Sequence, residues 1–424
     1  MDILSLCKAK EDYIIGMRRE FHRHPELSDK EDGTVGRICE ELTRMGVTHV
    51  DVPHGGVLAF FGDEKSGPTV LLRADIDALP VQENACNTAG KRAVISEVPG
   101  VMHACGHDGH GASLLGAAAV LAENPGLYAK GRIILMFERG EEATSNVVYL
   151  HKYLYDKGIH VDTAWGLHLF TAFERGKFVI YDKYAMAGAL FFKVTLTGKG
   201  GHGSRPDASH SPIDCFHAVY AGMNMLRLKY TSPFKPFAMS VGSIQAGVAP
   251  NVIPNQLTFQ GTFRYFDRDD MMRVVEELKL LLETTAKAYH CTVEHNLTSP
   301  GLGLVNDSGC AEIARGAYLD SFGQGSVIEV EPLMGSETFA LTAGLWPSAF
   351  VLLGVRDEKL GTTGEHHNEY FDIAEDMLKY ASAAGIVYAQ AFFESGQDVS
   401  DRAYKGTIKE FYAALGTGQA AVFA

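Results

Sequence analysis

The sequence predicts an α/β protein with a mostly parallel central sheet and an inserted α+β domain. Three observations carry this expectation. Residues 69–72, 133–137 and 164–167 are short runs that are apolar throughout. Such runs suit strands covered by helices on both faces, the setting of a parallel sheet. Residues 189–298 follow a strand and helix order of their own. Finally, 424 residues exceed one ordinary core, so more than one domain is expected.

Taken in order, the elements fit this frame. Residues 69–72 form a strand followed by Arg73, Asp75 and Asp77. Residues 103–110 read His-Ala-Cys-Gly-His-Asp-Gly-His and lead into a small, apolar stretch, 111–121, expected to be a buried helix. The strand at 133–137 precedes Glu141 and Glu142, and that at 164–167 ends at His168. In the insert, 190–197 alternates as a strand. Residues 212–228 form a helix with Ser211 as N-cap and Pro212 at its first position. A strand at 238–245, a turn-rich stretch at 247–255, a strand at 256–266, a helix at 269–289 and a strand at 292–297 complete the order β-α-β-β-α-β, the ferredoxin-like split unit. Candidate ligands lie on both sides of it, His168 before and His367 after. The expected division is therefore a discontinuous domain of residues 1–188 and 299–395, an inserted lid at 189–298, and an extension at 396–424. Residues 404–415 of that extension read as an amphipathic helix that docks on the core or meets another subunit.

The residues at the strand ends suit a metal. Open α/β sheets place their chemistry at the carboxyl ends of strands. Cys105 and His107 are two apart and cannot share a helix face, but a turn into a helix can aim both at one centre. Glu142, His168 and His367 add an oxygen and two nitrogens. Five N/O/S donors exceed the need of one tetrahedral ion and suit two ions sharing a bridging thiolate or carboxylate. Asp75 and Asp77 are placed to support the ligands from behind. Glu141, beside a ligand but not needed as one, suits a general base for an activated water. This donor mix does not choose among Mn, Zn, Co and Ni.

Nine segments carry a resemblance. Phe21-His-Arg-His-Pro-Glu-Leu-Ser28, Arg73-Ala-Asp-Ile-Asp-Ala-Leu-Pro80, His103-Ala-Cys-Gly-His-Asp108, Glu141-Glu142, Gly166-Leu-His168, Gly198-Lys-Gly-Gly-His-Gly203, Asn251-Val-Ile-Pro254, Gly261-Thr-Phe-Arg264 and His367-Asn368 occur in order over residues 10–390. Together they resemble the M20 metallopeptidase family, in its D subfamily of amidohydrolases. The resemblance implies a phosphorylase/hydrolase-like catalytic domain and two divalent ions per subunit, bridged by Cys105 and completed by His107, Glu142, His168 and His367. It implies Glu141 as base, His202 as the group that stabilises the oxyanion, and Asn251 and Arg264 at the substrate carboxylate. It also implies a homo-oligomer, a dimer or tetramer, joined through the lid, with His202 able to serve a partner's site. Three strings depart from the family pattern. Glu138-Arg-Gly140 stands for Gln-Pro-Ala, Ala143-Thr-Ser-Asn146 for a glycine-rich run, and Ser336-Glu-Thr-Phe339 for Ser-Glu-Asp-Phe.

Composition excludes other classes. A net charge of −14 argues against nucleic acid as a partner. No run reaches the ~18 apolar residues of a membrane span. Asp2, Lys8, Lys10 and Glu11 leave no apolar signal core at the start, and seven scattered cysteines suit reduced thiols, so a cytoplasmic location is expected. The expected reaction is hydrolysis of N-acyl amino acids. A dipeptidase or carboxypeptidase with the same metal chemistry is the alternative. A hydrolase using Cys105 as nucleophile and a non-catalytic binding protein are the remaining readings.

Overall fold

The computed structural model describes residues 2–423. Its central sheet has eight strands in the order Thr48–Val52, Gly56–Phe61, Arg132–Glu138, Thr69–Asp75, Thr163–Glu174, Ser348–Arg356, Phe178–Ile180, Val327–Ile328. The four central strands run parallel. Antiparallel pairing is confined to the flanks. Every residue of Thr69–Asp75 is buried, which is why its apolar stretch shows no alternation. The strand at Thr163–Glu174 runs six residues beyond His168, so that histidine sits within a strand and not at its end.

The helix behind the octet spans His107–Glu123, four residues earlier than its apolar stretch suggests. It is buried on almost every side, packed by helices Glu11–Arg23 and Leu378–Ser395. Gly106 caps its start in the left-handed region (φ 92), a turn glycine makes without a Cβ penalty. That turn brings Cys105 and His107 together.

A second sheet is antiparallel throughout, ordered Phe237–Ala246, Gln256–Tyr265, Gly188–Thr197, Thr292–Leu297. Helices Pro212–Tyr230 and Arg268–Ala288 share its apolar core. Ser211 caps the first by accepting from the Asp214 N–H, and Asp267 caps the second by accepting from Asp270. The strand order is that of a ferredoxin-like unit.

In the C-terminal stretch the helix is Ile408–Leu415, starting after a capping box of Thr407 and Glu410 and not at Tyr404. Phe411, Tyr412, Leu415 and Phe423 pack into the core beside Val147, Leu150 and Phe339. His151, fully buried, hydrogen-bonds the Tyr412 hydroxyl (2.8 Å) and that of Thr342 (3.1 Å), so a neutral imidazole satisfies both nitrogens.

Burial lowers the His151 pKa from 6.5 to about 3. Between those values the unfolded chain binds one proton more, so this contribution to stability is complete above pH 6.5 and is lost as pH falls. The loss amounts to roughly 1.4 kcal/mol per pH unit. Thermal melts from pH 7 down to 4.5 should show a steeper loss for the wild type than for His151→Gln. Equal slopes would exclude His151 as a source of acid lability.

Candidate metal centre

Five chain segments converge at the carboxyl ends of the central strands. Thr69–Asp75 delivers Asp75 and, just past it, Asp77. The turn before helix His107–Glu123 delivers Cys105 and His107. The loop after Arg132–Glu138 delivers Glu141 and Glu142, Thr163–Glu174 delivers His168, and the loop after Ser348–Arg356 delivers His367. The Cys105 thiol lies 3.4 Å from His168 Nε2. Glu142 Oε1 lies 3.3 Å from His367 Nε2 and 3.9 Å from His107 Nε2. Cys105, His107 and His168 form one group of donor atoms within 4.8 Å of one another, and Cys105, Glu142 and His367 form a second. Cys105 and its neighbours thus belong to two overlapping clusters.

These residues fit divalent cations on three grounds. His107 Nε2 and Glu142 Oε1 are buried polar atoms without a hydrogen-bond partner, a costly arrangement that a cation between them would relieve. The far nitrogens of the imidazoles are already committed. His107 Nδ1 donates to Asp77 (3.0 Å) and His168 Nδ1 donates to the Leu169 carbonyl (2.7 Å), so each Nε2 is left with its lone pair facing the centre. Acidic groups crowd the same place: burial opposes a charged His107, yet Asp75, Cys105 and Asp77 hold its pKa well above the ordinary value, and a cation bound there would take the place of that proton.

Burial pushes the Cys105 thiol pKa well up despite His107 nearby.

Glu141 sits beside the cluster, its Oε1 accepting from the Thr338 N–H at 3.0 Å. Burial, and then the neighbouring Glu337, raise its pKa well above the carboxylate range.

Several contributing residues were not singled out by sequence reasoning. His110 donates to Asp75 (2.5 Å) and accepts from the Leu169 N–H (2.9 Å). Both its nitrogens are used, so it braces the strand carrying His168. Its place in the octet was the one available signal. Arg73, fully buried, donates to Asp75 (2.7 Å) and Glu138 (2.6 Å) and pairs with Glu337 (3.0 Å). Two departures from the family pattern meet here: the Thr338 hydroxyl donates to Glu138 at 2.6 Å.

A cleft of 880 Å³ opens beside the donors and includes Arg264. Arg264 donates to the Ser336 hydroxyl (3.1 Å) and lies over the Phe191 ring at 5.5 Å. His202 and Asn251 are not among the residues lining it. They are brought together elsewhere, where Gly201–His202 pairs with Val252–Ile253 and the Asn251 carbonyl accepts from Gly203 (2.8 Å). His202 is exposed there.

An α/β sheet that gathers N, O and S donors beside a raised carboxyl and an open cleft defines a metal-dependent hydrolase. The chain belongs to peptidase family M20/M25/M40, whose model matches residues 71–387. It is 31% identical to an IAA-amino acid hydrolase, ILR1-like 2, of Arabidopsis thaliana over 97% of this chain and 92% of that one. It is 33% identical to thermostable carboxypeptidase 1 of Saccharolobus solfataricus (90% and 96%) and 31% identical to N-acetylcysteine deacetylase of Bacillus subtilis (88% and 95%). Among solved structures it resembles the Bacillus subtilis YXEP protein, a dinuclear metal-binding peptidase of the M20 family. That match has a TM-score of 0.76 and 29% identity, and covers 91% and 99% of the two chains. The protein is a metallo-amidohydrolase with donors for divalent metal. Among the described residues no helix is long and apolar enough to cross a membrane.

Proposed function

We propose that this protein hydrolyses the amide bond of N-acyl amino acids. The observation that carries the reading is the pairing, in one cleft, of the cation-demanding cluster with Arg264. A guanidinium reads a carboxylate bidentately, and Arg264 lines the same cleft as the donors, where it suits a carboxylate on the leaving amino acid. The N-acyl amino acid hydrolases among the relatives support it.

In this reading Cys105, His107, Glu142, His168 and His367 hold two divalent ions (Mn, Zn, Co or Ni), with Cys105 shared. Ions bound there would acidify water and polarise the acyl carbonyl. Glu141, held by the Thr338 N–H, takes the proton of the attacking water and later hands it to the leaving amine. Asp75 and Asp77 fix the imidazoles, and Arg264 holds the carboxylate. His202 stabilises the oxyanion and Asn251 assists with the carboxylate. Because both lie outside the cleft of their own chain, the working unit is a homo-oligomer in which the lid of one copy completes the site of another. Residues 1–188 and 299–395 form the catalytic domain, 189–298 the lid and 396–424 the extension. Seven free cysteines suit a reducing, cytoplasmic setting.

The test is amine release from N-acetyl and longer N-acyl amino acids, each beside its matching dipeptide, after chelation and after adding back Mn or Zn. We expect activity to vanish on chelation and return with metal on the acyl amino acids. Cleavage restricted to dipeptides would assign a metallo-dipeptidase or carboxypeptidase instead.

A further inference from the structure

The chain beyond its last α-helix crosses the substrate cleft. Helix Ile408–Leu415 stops at Gly416, whose left-handed backbone (φ 64) turns the chain sharply away. The Leu415 carbonyl accepts from Arg268 Nη2 and from the Ser299 hydroxyl, each at 2.8 Å, so the helix end is tied to the segment leaving the four-stranded sheet. A few residues on, Gln419 Nε2 donates to the Ser145 carbonyl at 3.3 Å. Ser145 belongs to the loop that carries Glu141 and Glu142 and is held left-handed at φ 53. Residues 416–419 therefore span from one wall of the cleft to the other.

Thr417 and Gln419 line the same cavity as Cys105, Glu142 and Arg264. Docking of the helix explains the burial of Phe411 and Tyr412, and the turn at Gln419–Phe423 packs Phe423 against Tyr412. Neither contact requires the side chains of Thr417 and Gln419 to face the cleft, as they do. With the carbonyl at the metal donors and the carboxylate at Arg264, the apolar lining left for the rest of a substrate includes Leu302, Ala340 and Leu341. Leu302 and Phe411 close on Gly344 together, which puts that lining against the helix that carries the crossing segment.

We propose that residues 416–419 form a wall of the acyl pocket and set the size of acyl group the enzyme accepts. This rests on the N-acyl amino acid reading above. Thr417 is the residue that limits length, and the Gln419–Ser145 bond holds the wall closed.

The experiment compares kcat/KM for wild type, Thr417→Trp and Gln419→Ala with Mn bound. One series lengthens the acyl group from acetyl to octanoyl on a single amino acid, and the other enlarges the amino acid side chain under a constant acetyl group. Thr417→Trp should lower the octanoyl-to-acetyl ratio by about tenfold or more, the scale on which apolar pockets discriminate. Gln419→Ala should raise that ratio. Melting temperature and metal content report folding, and if the tryptophan variant fails to fold, Gln419→Ala alone decides. Unchanged acyl ratios in folded variants, or a shift along the amino acid series instead, would overturn the inference while leaving the proposed function standing. If the wild type cleaves dipeptides alone, the substrate reading fails. The same ratio read across dipeptides of growing N-terminal residue then supports the wall if it shifts and removes it if it does not.

Discussion

Replacing Glu141 with glutamine should lower kcat about 10²- to 10⁴-fold, the range of positioned acid–base catalysis, with metal content unchanged. The substitution keeps size and hydrogen-bonding shape. An amide oxygen can still accept from the Thr338 N–H, so the side chain stays where the carboxylate lies. It can no longer take or return a proton. Two ligand groups meet at Cys105 without Glu141, one with His107 and His168 and one with Glu142 and His367, whereas Glu141 shares a third with His107 and Glu142, so metal content is the deciding control. Steady-state kinetics together with elemental analysis separate the outcomes. Activity within tenfold of wild type would remove Glu141 as the base. Loss of metal along with activity would make it a ligand.

The second large effect concerns a residue that the single chain leaves outside the cleft. His202→Ala should cost about 10²- to 10³-fold in kcat, the usual consequence of removing one oxyanion donor. His202 is exposed, and its Nδ1 is engaged by Ser204 through the hydroxyl (2.7 Å) and the N–H (3.1 Å). Its Nε2 is the nitrogen left to face another molecule. If one copy's lid completes its partner's site, co-expressing Glu141→Gln with His202→Ala should restore activity that neither variant has alone. A mixed oligomer then holds one site with both residues intact. Equal inactivity of the mixture, with mixed oligomers verified by mass, would mean that each chain completes its own site by moving its lid.

Much of the fold was legible from local pattern. Strands buried on both faces must be apolar at every position, so the stretch within Thr69–Asp75 announced a covered sheet. The lid helices could be placed because caps and periodicity are local, as Ser211 shows. Boundaries failed where tertiary context overrode pattern. The strand through His168 continues to Glu174 because Ser348–Arg356 pairs with it past the apolar run. The helix at His107 begins before its apolar stretch because a buried helix start can carry polar residues when ligands or carboxylates partner them.

The donors were readable for a chemical reason. Cysteine, histidine and glutamate placed beside apolar runs would be unpartnered buried polar groups unless something bound them. Their partners were not readable in the same way. The Glu138–Thr338 contact joins residues 200 apart, and Arg73 gathers three carboxylates from three segments.

By itself the sequence determined the class of fold and the N, O and S side chains that the fold gathers, because each follows from residue chemistry and short-range spacing. Tertiary structure alone decided which imidazole nitrogens of His107 and His168 face the centre and that both nitrogens of His110 are taken by Asp75 and Leu169. It also decided that His202 and Asn251 stand apart from their own cleft, and that the C-terminal segment crosses it. Those outcomes depend on contacts between residues distant in sequence, and no local pattern encodes the direction in which two remote segments meet.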